Sequence, residues 1–205
     1  PAGNRPRVQA HLPLDKTKGG ALPWLVLACD AVGAPTIAPW TKTKYRKMIS
    51  FKKDDIFNLA PDVDALVNSV NCKGVMGRGL ALQFKKRFPE NFQEYQERCN
   101  DGNMKPGDLF VHENKGEGPR YIINFATRDH WKDNSRLEYV ETGLTTLAKL
   151  IRYLKTDDAW LAINSIAIPA LGCGLGNLKW PTVRKLIELH LKDVEGVDVI
   201  VLEPR

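Results

Sequence analysis

From Met48 onward the apolar positions switch between a period of two and a period of nearly four, and the switches mark the elements. MISFKK (48–53) reads as a first strand and DALVNSV (64–70) as a second, buried one. Leu80, Phe84 and Phe88 recur every four residues, which predicts a helix over about 76–87 that stops at Pro89. A second helix is expected over 92–100, then strands at DLFVHE (108–113) and RYIINFA (120–126). Val140, Leu144, Leu147, Leu150, Ile151 and Leu154 form one apolar stripe, predicting a long helix over about 137–155. Residues 163–170 are apolar on both faces and read as a buried strand. A helix over 181–191 opens on a proline, and VDVIVLE (197–203) is the last strand. Alternating strands and helices predict an α/β fold whose mixed, mostly parallel sheet is covered on both sides.

Before Met48 the pattern is absent. Residues 1–47 hold six prolines and no sustained periodicity. They also hold eight Lys or Arg against two acids, which is the whole net charge of +6. The remainder is neutral, so the basic balance gives no reason to read the folded part as a nucleic-acid binder. Residues 1–47 are expected to be an extension: a flexible arm, the tail of a preceding domain, or sequence foreign to the domain. Residues 48–205 are expected to be the domain itself. No apolar run is long enough to span a bilayer, and the amino end shows no secretory signal pattern, so no membrane association is expected. The cysteines Cys29, Cys72, Cys99 and Cys173 are scattered without a CxxC pair. They are expected to be reduced thiols of a cytoplasmic protein, with no metal site.

Two segments carry the candidate chemistry. NCKGVMGRGLAL (71–82) puts glycines at 74, 77 and 79 just before a helix. PALGCGLG (169–176) follows a buried strand and again precedes a helix. Glycine lets a backbone approach a ligand closely, and a helix amino terminus offers unpaired N–H groups to anions. GVMGRG is neither the dinucleotide fingerprint nor a P-loop, because the spacing is GxxGxG and no Gly-Lys-Ser/Thr follows. Two such junctions at the carboxyl ends of strands point to a nucleotide diphosphate held between two loops.

The chain resembles a macro domain, the ADP-ribose-binding α/β/α module. KDDIF (53–57), VNSVNCKGVMGRGLALQFKKRFP (67–89), YIINFATRDHW (121–131) and IPALGCGLGNLKW (168–180) carry the resemblance in family order. GLALQFKKRFP together with IPALGCGL is similar to the subgroup that contains the terminal ADP-ribose protein glycohydrolase and the DarG antitoxins, which remove ADP-ribose from DNA bases. The resemblance implies a three-layer α/β/α fold and no cofactor, with ADP-ribose as ligand or product. It implies ADP-ribosylated DNA or protein as partners, and a cognate ADP-ribosyltransferase toxin. Asp55, next to Ile56, would accept from the adenine amino group. Asp54 stands where the family usually has glycine. Asn71, Gly77, Arg78, Gly79, Leu80 and Thr127 would surround the distal ribose and phosphates, with Asn71 on a ribose hydroxyl. Pro169, Leu171, Gly172, Cys173, Gly174, Leu175 and Gly176 would form the second phosphate loop.

Position 128 departs from the hydrolytic members of that subgroup, which carry a lysine proposed to attack the anomeric carbon. Here it is Arg128. A guanidinium stays charged and supplies no lone pair, so it cannot be that nucleophile. It can grip a phosphate or a carboxylate. Asp129, His130 and Lys132 lie beside it, with His130 a candidate general base and Asp129 a candidate to orient water. Two readings stand at this point: a hydrolase that removes ADP-ribose from a base or a protein, and a module that binds ADP-ribose without turnover.

Overall fold

The computed structural model describes residues 49–154 and 163–204. The predicted extension, residues 1–47, lies outside them.

The described residues form a six-stranded sheet in the order β1-β6-β5-β2-β4-β3. Its strands are β1 (Ile49–Lys52), β2 (Ala65–Val70), β3 (Leu109–Glu113), β4 (Tyr121–Ala126), β5 (Ser165–Ile168) and β6 (Asp198–Leu202). Every pairing is parallel except β3 with β4 at one edge. The expected mixed, mostly parallel sheet is therefore what forms. Parallel strands need crossovers, and the helices that supply them cover both faces. These helices are α1 (Gly79–Arg87), α2 (Pro89–Asn100), α3 (Leu137–Leu154) and α4 (Trp180–Leu191).

Alternation along the strands divides the core. Ala65, Val67, Tyr121, Ile123 and Phe125 face α3 and α4, where Val140, Leu144, Leu147, Val183 and Ile187 meet them. Leu66 and Ile122 face the other way, onto Phe84 and Phe88. That gives the three layers. Each fully buried aliphatic or aromatic side chain contributes about 1.5–3 kcal/mol by leaving water, so the α3 stripe alone is a large part of what holds its layer.

Two boundaries differ from the sequence reading. The first helix starts at Gly79 and not near Met76. Residues 71–78 are held as a loop by bonds described below, so the amino terminus moves to the last glycine. Pro89 ends α1 but also opens α2, at its first turn. Proline lacks an N–H that the first turn would leave unpaired, so it costs nothing there. The kink between α1 and α2 falls at Phe88, whose backbone is outside the helical region.

The first and last residues of a strand need anchors as well. Asp64 caps the start of β5 from the start of β2: its Oδ2 accepts from Asn164 N at 2.6 Å and Ser165 N at 3.0 Å. This ties together two strands far apart in sequence and fixes β5 next to β2. Both candidate loops consequently leave the sheet side by side. Among the described residues no helix is long and apolar enough to cross a membrane.

Candidate functional site

The carboxyl ends of β1, β2, β4 and β5 share one edge of the sheet, and every predicted site residue follows one of them. Asp55 comes after β1, residues 71–80 after β2, Thr127–His130 after β4, and residues 169–176 after β5. The sheet order, not the sequence, makes the last three neighbours.

The first loop is clamped by side chains. Asn71 is buried and uses both ends of its amide on the loop itself. Its Oδ1 accepts from Lys73 N at 2.9 Å, and its Nδ2 donates to Val75 O at 2.6 Å. This is an Asx-type local closure. It means that much of the amide predicted to meet a ribose hydroxyl is spent on the backbone. From behind, the Tyr95 hydroxyl on α2 donates to Asn71 O at 2.6 Å. Tyr95 is fully buried, and burial pushes its pKa up, so it stays a donor. Met76 is also buried, against Tyr95, and accepts weakly from Asn68 Nδ2. Asn68 in turn bonds Asn124 across the β2–β4 pair, and Asn124 bonds Asn91 of α2. A line of buried amides thus joins the sheet to the helix beneath the loop.

Gly77, Arg78 and Gly79 at the far end of the loop are exposed. Arg78 is the extended cap of α1 and makes no side-chain cap bond, so the first-turn N–H groups face outward without an intrahelical acceptor. Gly79 has φ +59, which favours glycine, and a Cβ there would sit 3.3 Å from Leu175 Cδ1. Leu175 belongs to the second loop. The two loops therefore come together at this point.

The second loop is wound on its own backbone. Cys173 N donates to Ala170 O, Asn177 N to Gly174 O, and Leu178 N to Gly172 O, at 3.0–3.1 Å. Inside the coil sits Ser135, a residue that sequence reasoning missed. Its N–H donates to Gly176 O at 3.0 Å. A Cβ on Gly176 would lie 2.3 Å from Ser135 Oγ and 2.4 Å from Gly172 O, so only glycine fits. The serine reads as an ordinary residue before a helix, and no local signal announces this contact. Pro169 and Leu171 are buried under the loop, whereas Gly174 and Leu175 are exposed on it.

Segment 128–136 bridges the two loops. At one end Cys72 N donates to Asp129 O at 2.8 Å, and Lys73 Nζ pairs with Asp129 Oδ1 at 3.1 Å. That bond also raises the lysine pKa. At the other end Ser135 bonds Gly176, and Asn177 Nδ2 donates to Asn134 Oδ1 at 2.7 Å. Thr127 is buried at the segment's root and shares a 2.8 Å bond with Ser69. Arg128 is half-buried, with Nη1 at 3.4 Å from both Trp131 O and Asp133 O. Burial pushes its pKa down and Asp133 opposes that. A guanidinium remains protonated through shifts of this kind. His130 Nδ1 accepts from Lys132 N at 3.2 Å and its ring stacks on Trp131. The neutral ring then carries its proton on Nε2, and its lone pair is engaged.

Asp55 and Ile56 open a short 3-10 turn, Ile56–Asn58. Asp55 Oδ1 caps it by accepting from Phe57 N at 3.1 Å, and Ile56 is buried. Asp54, in the place of the expected glycine, accepts from Asp55 N and from Asn58 Nδ2, so it closes the same turn. Neither loop cysteine is a thiolate at neutral pH: burial pushes Cys72 up to about 12 and Cys173 up to about 11.

The Macro domain family profile matches residues 67–187. The chain belongs to the macro domain family. Among curated relatives, a protein of Thermus aquaticus named DNA ADP-ribosyl glycohydrolase is 45% identical over 158 residues, covering 77% of this chain and 41% of that protein. A Thermosipho africanus relative, 30% identical over 77% of the chain and 42% of its own length, is named a DNA ADP-ribosyl transferase-DNA ADP-ribosyl glycohydrolase fusion protein. The chain spans about two fifths of the length of these curated relatives. Among solved structures, the macrodomain of Mycobacterium tuberculosis DarG matches with a TM-score of 0.71 at 39% identity, over 78% of this chain and all of that one. Thermosipho africanus DarTG in complex with ADP-ribose matches with a TM-score of 0.69 at 29% identity, over 78% of this chain and 43% of that one.

A separate cavity of about 240 Å³ opens at the amino end of α2, lined in part by Arg87, Asn91, His112 and Asn114. It shares no residue with the macro-domain loops.

Proposed function

We propose that this macro domain binds ADP-ribose between its two glycine loops and releases it by hydrolysis from a modified DNA base. The observation that carries the reading is the meeting of the loops at Gly79 and Leu175. It occurs in a chain 45% identical to a relative named DNA ADP-ribosyl glycohydrolase. The diphosphate lies against the N–H groups of the α1 first turn, where the helix dipole and unpaired donors favour negative charge, and against the backbone of residues 174–176. Asp55 takes the adenine amino group, as a carboxylate acceptor suits an amine donor. Cytoplasmic residence and a partner ADP-ribosyltransferase, whose product this domain reverses, belong to the same proposal. The fused name of the Thermosipho africanus relative supports that partner.

The chemistry follows from position 128. Arg128 cannot form a covalent adduct, so a water oxygen bonds the anomeric carbon as the glycosidic bond to the base breaks. The water's proton passes to a general base, and the departing ring nitrogen of the DNA base takes up a proton from solvent, which the general base then returns, so that water is split between the two products. Between the two candidates Asp129 is better placed, because the His130 lone pair is already engaged by Lys132 N–H. Lys73 holds Asp129 through Oδ1 and so fixes the carboxylate. Arg128 pairs with the diphosphate or the developing charge.

Arg128 also supports a second reading, a module that binds ADP-ribose without turnover. Incubation with ADP-ribosylated single-stranded DNA, with release read by mass spectrometry, separates the two. Wild type is expected to release ADP-ribose, and Asp129→Asn to slow release by about 10²–10⁴-fold. Arg128→Lys is expected to raise the rate and to allow a borohydride-trapped adduct. Wild type and Arg128→Lys both inert, with calorimetric binding of ADP-ribose intact, establishes the binding module instead.

A further inference from the structure

Five large apolar side chains are exposed among the described residues: Val75, Trp131, Tyr153, Leu175 and Leu189. Three of them, Val75, Trp131 and Leu175, stand on the three segments that build the site. Scattered surface apolar residues need no explanation, but three on the segments that build one candidate site call for one.

Trp131 is the one with a specific geometry. It occupies the middle of the bridging segment, between the anchors at Asp129 and at Asn134–Ser135. Its side chain is 47% exposed. Its ring contacts are with its chain neighbours: the His130 ring lies 5.2 Å away at 30°, and Lys132 Nζ is 4.9 Å from the ring centroid. An indole held this way is preoriented without being buried. Its backbone cannot drift, because both flanks are tied to the loops.

The charge around it points to the occupant. Lys73, Arg78, Arg128, Lys132 and Arg136 lie on the first loop and on the bridging segment that is tied to it, against Asp129 and Asp133. Asp129 is itself paired with Lys73. The rest of the described domain is not basic, so this excess is local. An exposed aromatic beside a row of cations is how proteins hold single strands: bases stack on the ring while cations track the phosphates. A peptide offers neither a run of π-faces nor a run of phosphates.

We infer that Trp131 is a stacking platform for a base of single-stranded DNA next to the modified nucleotide, with Lys132 and Arg136 on the adjoining phosphates. The inference rests on the function proposed above and adds the part of the substrate outside ADP-ribose. The strand crosses the bridging segment while its ADP-ribose reaches down between the loops.

The test uses the full chain and two ligands. One is free ADP-ribose, titrated by calorimetry. The other is a single-stranded oligodeoxynucleotide about twelve nucleotides long, carrying ADP-ribose on a central base, titrated by fluorescence anisotropy on ice with the adduct checked by mass spectrometry. Trp131→Ala should weaken the oligonucleotide by about tenfold or more and leave free ADP-ribose within about twofold. Trp131→Phe should recover most of the loss, because a phenyl ring still stacks. An equal loss for both ligands would place Trp131 in the ADP-ribose site and overturn the platform. So would an unchanged oligonucleotide affinity. Wild type that binds neither ligand brings down the proposed function as well, whereas wild type that binds both with Trp131→Ala indistinguishable brings down only the platform.

Discussion

The two glycine loops present backbone to the same place but are built by different means. Residues 71–79 are clamped by side chains: the Asn71 amide inside the loop and the Tyr95 hydroxyl behind it. Residues 172–178 are wound by backbone bonds around Ser135, and two of their glycines, Gly172 and Gly176, are there because no Cβ fits. A polar clamp can be loosened one bond at a time, at about 1–3 kcal/mol for each buried group left unpaired. A sterically filled coil fails all at once, because close-packed backbone has nowhere to go. The first loop is therefore adjustable and the second is rigid. The bridging segment, anchored to both, holds the adjustable loop against the rigid one.

The largest effect expected from this contrast is in the second loop. Gly176→Ala should cost about 3 kcal/mol or more of stability, since its Cβ would collide with Gly172 O, a backbone atom that cannot swing aside. Gly174→Ala, two residues away, meets nothing within 4 Å and should change stability by less than about 0.5 kcal/mol. Urea titration of the pair checks both. Equal midpoints would mean that the coil gives way, and the rigid reading would fail.

A smaller effect is expected in the first loop. Tyr95→Phe removes one donor and leaves Asn71 O buried without it. The cost should be about 1–2 kcal/mol in stability, with ADP-ribose affinity falling as the loop loosens. Calorimetry and urea titration on the same variant measure the two. A stability loss with full affinity would show that the clamp does not set the loop's ligand-facing shape.

The smallest effect concerns the two loop thiols at high pH. Both folded pKa values lie above the ordinary value of 9.0, Cys72 at about 12 and Cys173 at about 11. A raised pKa contributes stability that is complete below about pH 9 and is lost as pH rises through the folded values. The thermal midpoint should therefore fall from about pH 9 upward. Cys72→Ala should flatten that fall more than Cys173→Ala, because burial pushes the first-loop thiol further. The reverse order in melts between pH 8 and about 11 would contradict the burial assigned to the two loops.

Much of this was legible along the chain. Element order, the α3 stripe, the doubly buried β5 and both glycine loops are written in local periods and in short runs of glycine, whose physics spans a few residues. Position 128 was legible too, since Arg and Lys differ in chemistry wherever they sit. Helix ends were less so. The start of α1 depends on Asn71 closing the loop ahead of it, and Pro89 stops one helix and opens the next equally well.

Sequence alone, then, determined which segments were strands, helices and glycine-rich loops, because hydrophobic period, proline and glycine act within a turn or two. Only the tertiary structure decided that Tyr95 would hold Asn71, that Ser135 would fill the second loop, and that residues 128–136 would tie the loops together. Those contacts join residues far apart in the chain. They exist because the strand order puts β2 between β4 and β5, and that order is fixed by packing of the whole sheet, which no local window contains.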